Sequence, residues 1–194
     1  MSHFMCNCRC EKTLEKLFEG AVVGSKVARM ISGRSSDYGS SSSDNRAAMG
    51  FFLDRATRAR LLLDGHRPQD VRMRSYRAEP IVVAAASGNA AAVTLLLRYG
   101  LAEESMRAAI AYLRDSATAP GARPCLDVLL RAVVCYGRRA DHDDGGDVVW
   151  DPPALMHLAR CAVRKALHDE FGLPHGIPRL PVPRSLVSYL DLEC

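Results

Sequence analysis

Three short stretches hold the residue types that do chemistry. Cys6-Asn7-Cys8-Arg9-Cys10, preceded by His3, offers thiolates and an imidazole, the usual donors to zinc. The alternating spacing departs from the C-x-x-C knuckle, and an unstructured terminus accounts for it as well, so no metal is expected there. His157 and Cys161 stand one helical turn apart, a spacing at which an imidazole can activate a thiol. With no glycine-rich turn or orienting acid nearby, both are expected to be structural. His142 sits among Asp141, Asp143 and Asp144, a pattern read as a solvated acidic loop. No catalytic centre is assembled, and neither enzymatic activity nor a cofactor is expected.

A fourth group, Arg55, Arg58, Arg60, Arg67, Arg72, Arg74 and Arg77, raises another class, a scaffold that binds nucleic acid or an acidic protein. The overall balance gives little support, since 26 basic against 22 acidic residues leave a formal charge of only +4. Arginine dominates throughout, and lysine occurs only at Lys12, Lys16, Lys26 and Lys165. A solvated arginine-rich surface is therefore the expected reading, with nucleic acid not expected as a partner.

With 194 residues, 48% of them hydrophobic, the chain can bury a core and still carry an appendage. Its cysteines are odd in number and lie at Cys6, Cys8, Cys10, Cys125, Cys135, Cys161 and Cys194, with no secretory signal ahead of them. Reduced thiols in the cytosol or nucleus are expected. No apolar run approaches the roughly 18 residues of a membrane helix, so no membrane span is expected.

Leu14, Leu17, Phe18, Val22, Val27 and Met30 recur at helical spacing and predict an amphipathic helix within 11–31. The Ser-rich stretch from Ser35 to Asn45 has no periodicity and predicts a flexible linker, with the folded domain starting near Arg46. Beyond it Leu61, Leu95 and Leu129 fall at a period of 34 residues, each within an apolar triplet, which suits stacked helix pairs.

The middle unit is the most informative. Pro80 suits a first helical turn, Ala84 and Ala85 admit a close neighbour, Gly88-Asn89 makes a turn, and Val93, Leu96 and Leu97 form an inward face closed by Gly100. This segment resembles an ankyrin repeat, whose pattern runs Thr-Pro-Leu-His, a small pair, a Gly turn, Val-x-Leu-Leu-Leu and a closing Gly. Glu79 and Val82 stand where the family has Thr and His, so the hydrogen bonds those two make between repeats are not expected here. About three irregular pairs are expected between Arg46 and Val134.

Past the acidic loop, Trp150-Asp151-Pro152-Pro153 punctuates the chain. Leu155, Leu158, Ala159, Ala162, Val163, Ala166 and Leu167 then form one apolar helical stripe, with Arg160, Arg164, Lys165 and His168 largely outside it. Leu180-Pro181-Val182-Pro183 must be extended, because each proline disfavours helix in the residue before it. Leu186, Tyr189 and Leu190 recover a helical face.

The stretch from about Pro152 to Leu192 resembles a SOCS box, and with the repeats upstream the chain is similar to the ankyrin repeat and SOCS box proteins. The resemblance implies an all-α protein: an N-terminal helix and linker at 1–45, a short degenerate ankyrin-like stack at 46–149 and a small helical SOCS box at 150–194. It further implies a non-catalytic adaptor of a ubiquitin ligase. Leu155, Leu158, Ala159 and Val163 would form the BC box that binds elongin C, itself paired with elongin B. Ala159 replaces the family's usual Cys, and Cys161 lies two residues late. Leu180, Pro181, Val182, Pro183, Leu186 and Tyr189 would form a box favouring cullin-5 with its RING subunit. The substrate protein is not named by any motif.

Overall fold

A computed structural model describes residues 7–23, 42–116, 120–133, 137–138, 150–151 and 154–193. Its helices are α1 (Asn7–Val22), α2 (Ser42–Arg58), α3 (Pro80–Ala86), α4 (Ala90–Arg98), α5 (Glu103–Asp115), α6 (Ala122–Ala132), α7 (Leu155–Asp169) and α8 (Arg184–Leu190). Single 3-10 turns lie at Pro68–Asp70 and Ile177–Arg179. Two-residue strands β1 (Gly137–Arg138) and β2 (Trp150–Asp151) pair antiparallel, joining the ends of the span that separates the repeats from α7. Two short strands aside, the all-α architecture that the resemblance implies is the one observed among the described residues.

Six helices make three pairs. The leading helices α1, α3 and α5 lie side by side, and α4 and α6 pack together in a second layer that α2 begins. One continuous core runs through all three pairs, with Phe18, Leu53, Ile81, Leu96, Leu113 and Leu129 at its centre. Ala84 and Ala85 are buried where α3 meets its neighbours, as a helix needs if another is to approach closely. Phe18 and Phe52 meet edge to face at 6.4 Å, fixing α1 on α2.

Several boundaries differ from the sequence expectation. Helix α1 ends at Val22, earlier than the predicted 31, and the residues from 24 to 41 lie outside those described. Rather than standing apart as an appendage, α1 buries Phe18, Ala21 and Val22 and serves as the leading helix of the first pair. Helix α2 begins at Ser42, so the end of the Ser-rich stretch is helical, with Asp44 in the first turn where a negative charge complements the helix dipole. Leu61, the first member of the 34-residue series, lies exposed beyond α2, whereas Leu129 is buried in α6. The even spacing was partly coincidental.

Glycines allow the pairs to stack. Gly88 and Gly121, the turn glycines of the second and third pairs, both have left-handed φ, at +64° and +79°. A Cβ on Gly88 would sit 2.5 Å from the Pro120 carbonyl, and one on Gly121 would sit 2.8 Å from Gly88. Side chains here would push the two turns apart.

The inter-pair hydrogen bonds that Glu79 and Val82 cannot supply come from elsewhere. Asn89 accepts from Ala92 N (3.1 Å) with Oδ1, capping α4, while Nδ2 donates to the Ala21 and Val22 carbonyls at 3.0 Å each, closing α1. The turn at Pro68–Asp70 repeats this one pair later. Gln69 Nε2 donates to the Gly100 carbonyl (2.8 Å) just past α4, and Asp70 Oδ1 accepts from Ala102 N (2.9 Å) and Ser105 Oγ (3.0 Å) at the start of α5. Ala102, at the N-cap, has no side chain to cap with, so the carboxylate arrives from a distant turn. Burial raises the Asp70 pKa against the opposing pull of those two hydrogen bonds.

Candidate functional site

The 154–193 region is a compact module with its own small core of Leu173, Ile177 and Leu190, against which Val163, Leu167, Leu180, Val182 and Val187 pack. Leu192 leaves that core and is buried among the repeats. Helix α7 starts after Ala154, whose extended ψ of 138° ends the proline-punctuated approach. Leu180 is likewise extended, with ψ of 140°, as the following proline requires, and Pro183 has ψ of 151° at the N-cap of α8.

The orientation of α7 is opposite to that of an ordinary amphipathic helix. Leu155 is 82% exposed and Met156 58%, and Ala159, Ala162 and Ala166 are exposed on the same side. Turned inward are Arg160 and Arg164, only 6% and 5% exposed. Leu158 is half-buried at the edge of the outward face. An apolar stripe normally faces the core because burying each large aliphatic side chain contributes roughly 2 kcal/mol. Here its Leu155, Ala159, Ala162 and Ala166 edge is left open, while Val163 and Leu167 pack within the module.

Polar groups hold α7 in this orientation. Arg164 donates through Nη1 to the Leu190 carbonyl (2.7 Å) at the end of α8 and through Nη2 to the Leu97 carbonyl at the end of α4. It closes two helix C-termini at once, one in the module and one in the repeats. Desolvation lowers its pKa to about 10, so it remains charged at neutral pH. Arg160 lies over the Tyr189 ring with its Cζ 4.1 Å from the centroid, linking α7 to α8. Arg67 donates to the His168 carbonyl at the end of α7 and lies 3.9 Å over Phe171, and Arg98 pairs with Asp191. Burial, then the nearby Arg67, pushes the His168 pKa down, and burial with Arg58 does the same to His175.

The His157 and Cys161 pair is tied into the same junction. His157 Nε2 lies 3.1 Å from the Val133 carbonyl, and Nδ1 lies 3.0 Å from Arg160 Nη2. An arginine can only donate and a carbonyl can only accept, so Nδ1 accepts and Nε2 donates. Both nitrogens are occupied, so the ring has no free lone pair for the Cys161 thiol 3.7 Å away. The Cys6, Cys8 and Cys10 side chains and the acidic loop around His142 lie outside the described residues.

Much of the arginine group is engaged within the chain. Arg55 lies over Phe51 (5.3 Å), Arg58 pairs with Asp54 (3.0 Å), Arg60 lies over Phe171 (5.9 Å), and Arg72 donates to the Arg77 carbonyl. No helix of the described residues is long and apolar enough to cross a membrane.

The expected partner-binding residues therefore separate into two sets. Leu155, Ala159, Pro181, Pro183 and Leu186 are exposed, while Val163, Leu180 and Val182 pack within the module and Tyr189 is half-buried under Arg160. Arg160 and Arg164, which orient the module, were absent from that set. The signal for them is an i, i+4 arginine pair opposite an apolar stripe.

The SOCS box family model matches residues 151–191, the segment that holds the outward apolar helix, the extended proline segment and the short helix after it. The relatives that the chain resembles in this same region are ankyrin repeat and SOCS box proteins. The chain is 48% identical over 46 residues to human ankyrin repeat and SOCS box protein 10, and 46% identical over 46 residues to the mouse protein of that name. The aligned segment covers 24% of this chain and 9% of each relative. No solved structure matches the chain.

Proposed function

We propose that the chain is the substrate-recognition adaptor of an elongin B/C, cullin-5 type RING ubiquitin ligase, acting in the cytosol or nucleus without catalysing a step itself. The exposure of Leu155 at the head of an otherwise well-packed module carries this reading. A helix that leaves its apolar face in water is built to lay it into a partner's groove, here that of elongin C. Ala159 leaves more of such a groove unfilled than the family's usual Cys. The exposed Pro181, Pro183 and Leu186 form a second surface, suited to the cullin. The repeats would hold the substrate protein, and bridging it to the ligase raises its effective concentration at the ubiquitin carrier.

The test is co-purification of the full chain with elongin B/C and cullin-5. Burying one leucine contributes about 2 kcal/mol, or roughly thirtyfold in affinity, so Leu155→Asp is expected to lose elongins altogether. Because Leu180 packs inside the module, the cullin variant is Pro181→Ala, Pro183→Ala and Leu186→Ala combined, which should keep elongins and lose the cullin. Normal elongin recovery with Leu155→Asp would overturn the reading.

A further inference from the structure

We infer that Arg164 is the positioning residue that sets the rotation of α7 about its axis, holding the apolar face outward for a partner. Its bearing on ligase assembly rests on the proposed function; the orientation itself does not.

Hydrophobic burial alone does not choose the rotation, because Val163 and Leu167 pack in the module's core while Leu155, Ala159, Ala162 and Ala166 do not. Rolled by half a turn, α7 would place Leu155, Ala159, Ala162 and Ala166 against the repeats and return Arg160 and Arg164 to water. Arg164 opposes the roll because it is buried as a cation and satisfied by two carbonyls, Leu97 O and Leu190 O, which close separate helices. Rolling would leave both carbonyls without that donor. The close approach of Gly100 supports the same register: a Cβ there would lie 2.5 Å from His168 Cδ2, so α7 sits directly on the repeat end. The Arg160 contact with Tyr189 fixes α8 to the inward face, so the two partner surfaces are held in one relation.

Arg164→Met keeps the length of the side chain while removing its charge and both donors. A reporter thiol at the exposed position 166, introduced by Ala166→Cys, reads the rotation without any partner present. With Arg164 intact this thiol should react rapidly with a maleimide, and with Arg164→Met at least tenfold more slowly, in peptide-resolved labelling of the full chain. In the Ala166 background, Arg164→Met should weaken capture of purified elongin B/C at least tenfold while circular dichroism still shows the parent's helical content. Arg164→Lys retains the charge and can reach one of the carbonyls, so it should fall between parent and Met variant in both readouts. If Arg164→Met does not fold, Arg164→Lys decides the matter alone. Parent-like labelling in the folded variants overturns the inference, whatever happens to capture. Slowed labelling in a chain whose Leu155→Asp form still captures elongins normally would uphold the inference and remove the ligase reading.

Discussion

The contacts between helix pairs and the contact between the last pairs and the SOCS box are built on opposite principles. Between pairs the surfaces are apolar and close, with Ile81, Ala84, Ala85, Ala109 and Ile110 in one core, and polar residues such as Asn89 and Gln69 serve only at helix ends. At the SOCS box, guanidinium groups on both sides reach across to backbone carbonyls and a carboxylate, through Arg67, Arg98 and Arg164. The difference teaches how a helix can be both docked and available. An apolar junction would consume the stripe on α7, whereas a polar one anchors the opposite face and leaves the stripe free.

Disrupting the apolar side should have the largest effect. Leu96 is fully buried, and Leu96→Ala removes core volume that the surrounding helices cannot refill. A loss of about 2–5 kcal/mol is expected, read as a lower denaturant midpoint with an unchanged slope.

A paired substitution sharpens the contrast. Gly88 and Gly100 both have left-handed φ, and at each a Cβ would come within 2.5 Å of a neighbour. The neighbour of Gly88 is the Pro120 backbone, whereas that of Gly100 is the His168 side chain. Gly88→Ala should therefore destabilise the repeats by on the order of 2 kcal/mol. Gly100→Ala should act chiefly on the module, speeding amide exchange in α7 far more than in α3 to α6.

The smallest effect belongs to pH. His168 has a folded pKa below its ordinary value because it is buried beside Arg67, with Asp70 and Asp169 opposing the shift. Between that depressed value and about 6.5 the unfolded chain binds the proton more readily, so stability is complete above pH 6.5 and declines as pH falls through this window. His175 is depressed in the same direction, so thermal melts should show a shallow loss below pH 6.5 that His168→Gln reduces and His168→Gln with His175→Gln reduces further.

The division between these two interfaces also marks how far the sequence could be read. The pair around Pro80 to Gly100 and the order of the C-terminal module were legible, because proline, glycine and helical periodicity report local backbone geometry. Leu61 misled because a leucine triplet looks alike in a helix and in the turn after one. Asn89 was visible as a turn residue, but its reach to the Ala21 and Val22 carbonyls depends on a helix 67 positions away. The direction of the α7 stripe was not legible in periodicity, and only the resemblance to a SOCS box implied that it faces a partner. Periodicity identifies an apolar face without saying whether its cover belongs to the same chain, and only the burial of Arg160 and Arg164 answers that.

The acceptors that Arg164 uses are backbone carbonyls at positions 97 and 190. Every amino acid has such a carbonyl, so substitution at either position changes a side chain and spares the bond. Sequence drift at these two positions is therefore limited by the packing of their buried side chains and not by the arginine's need for an acceptor. An arginine that recognises only the end of a helix can be transplanted along with its module, and any repeat array that terminates a helix at the right place can receive it.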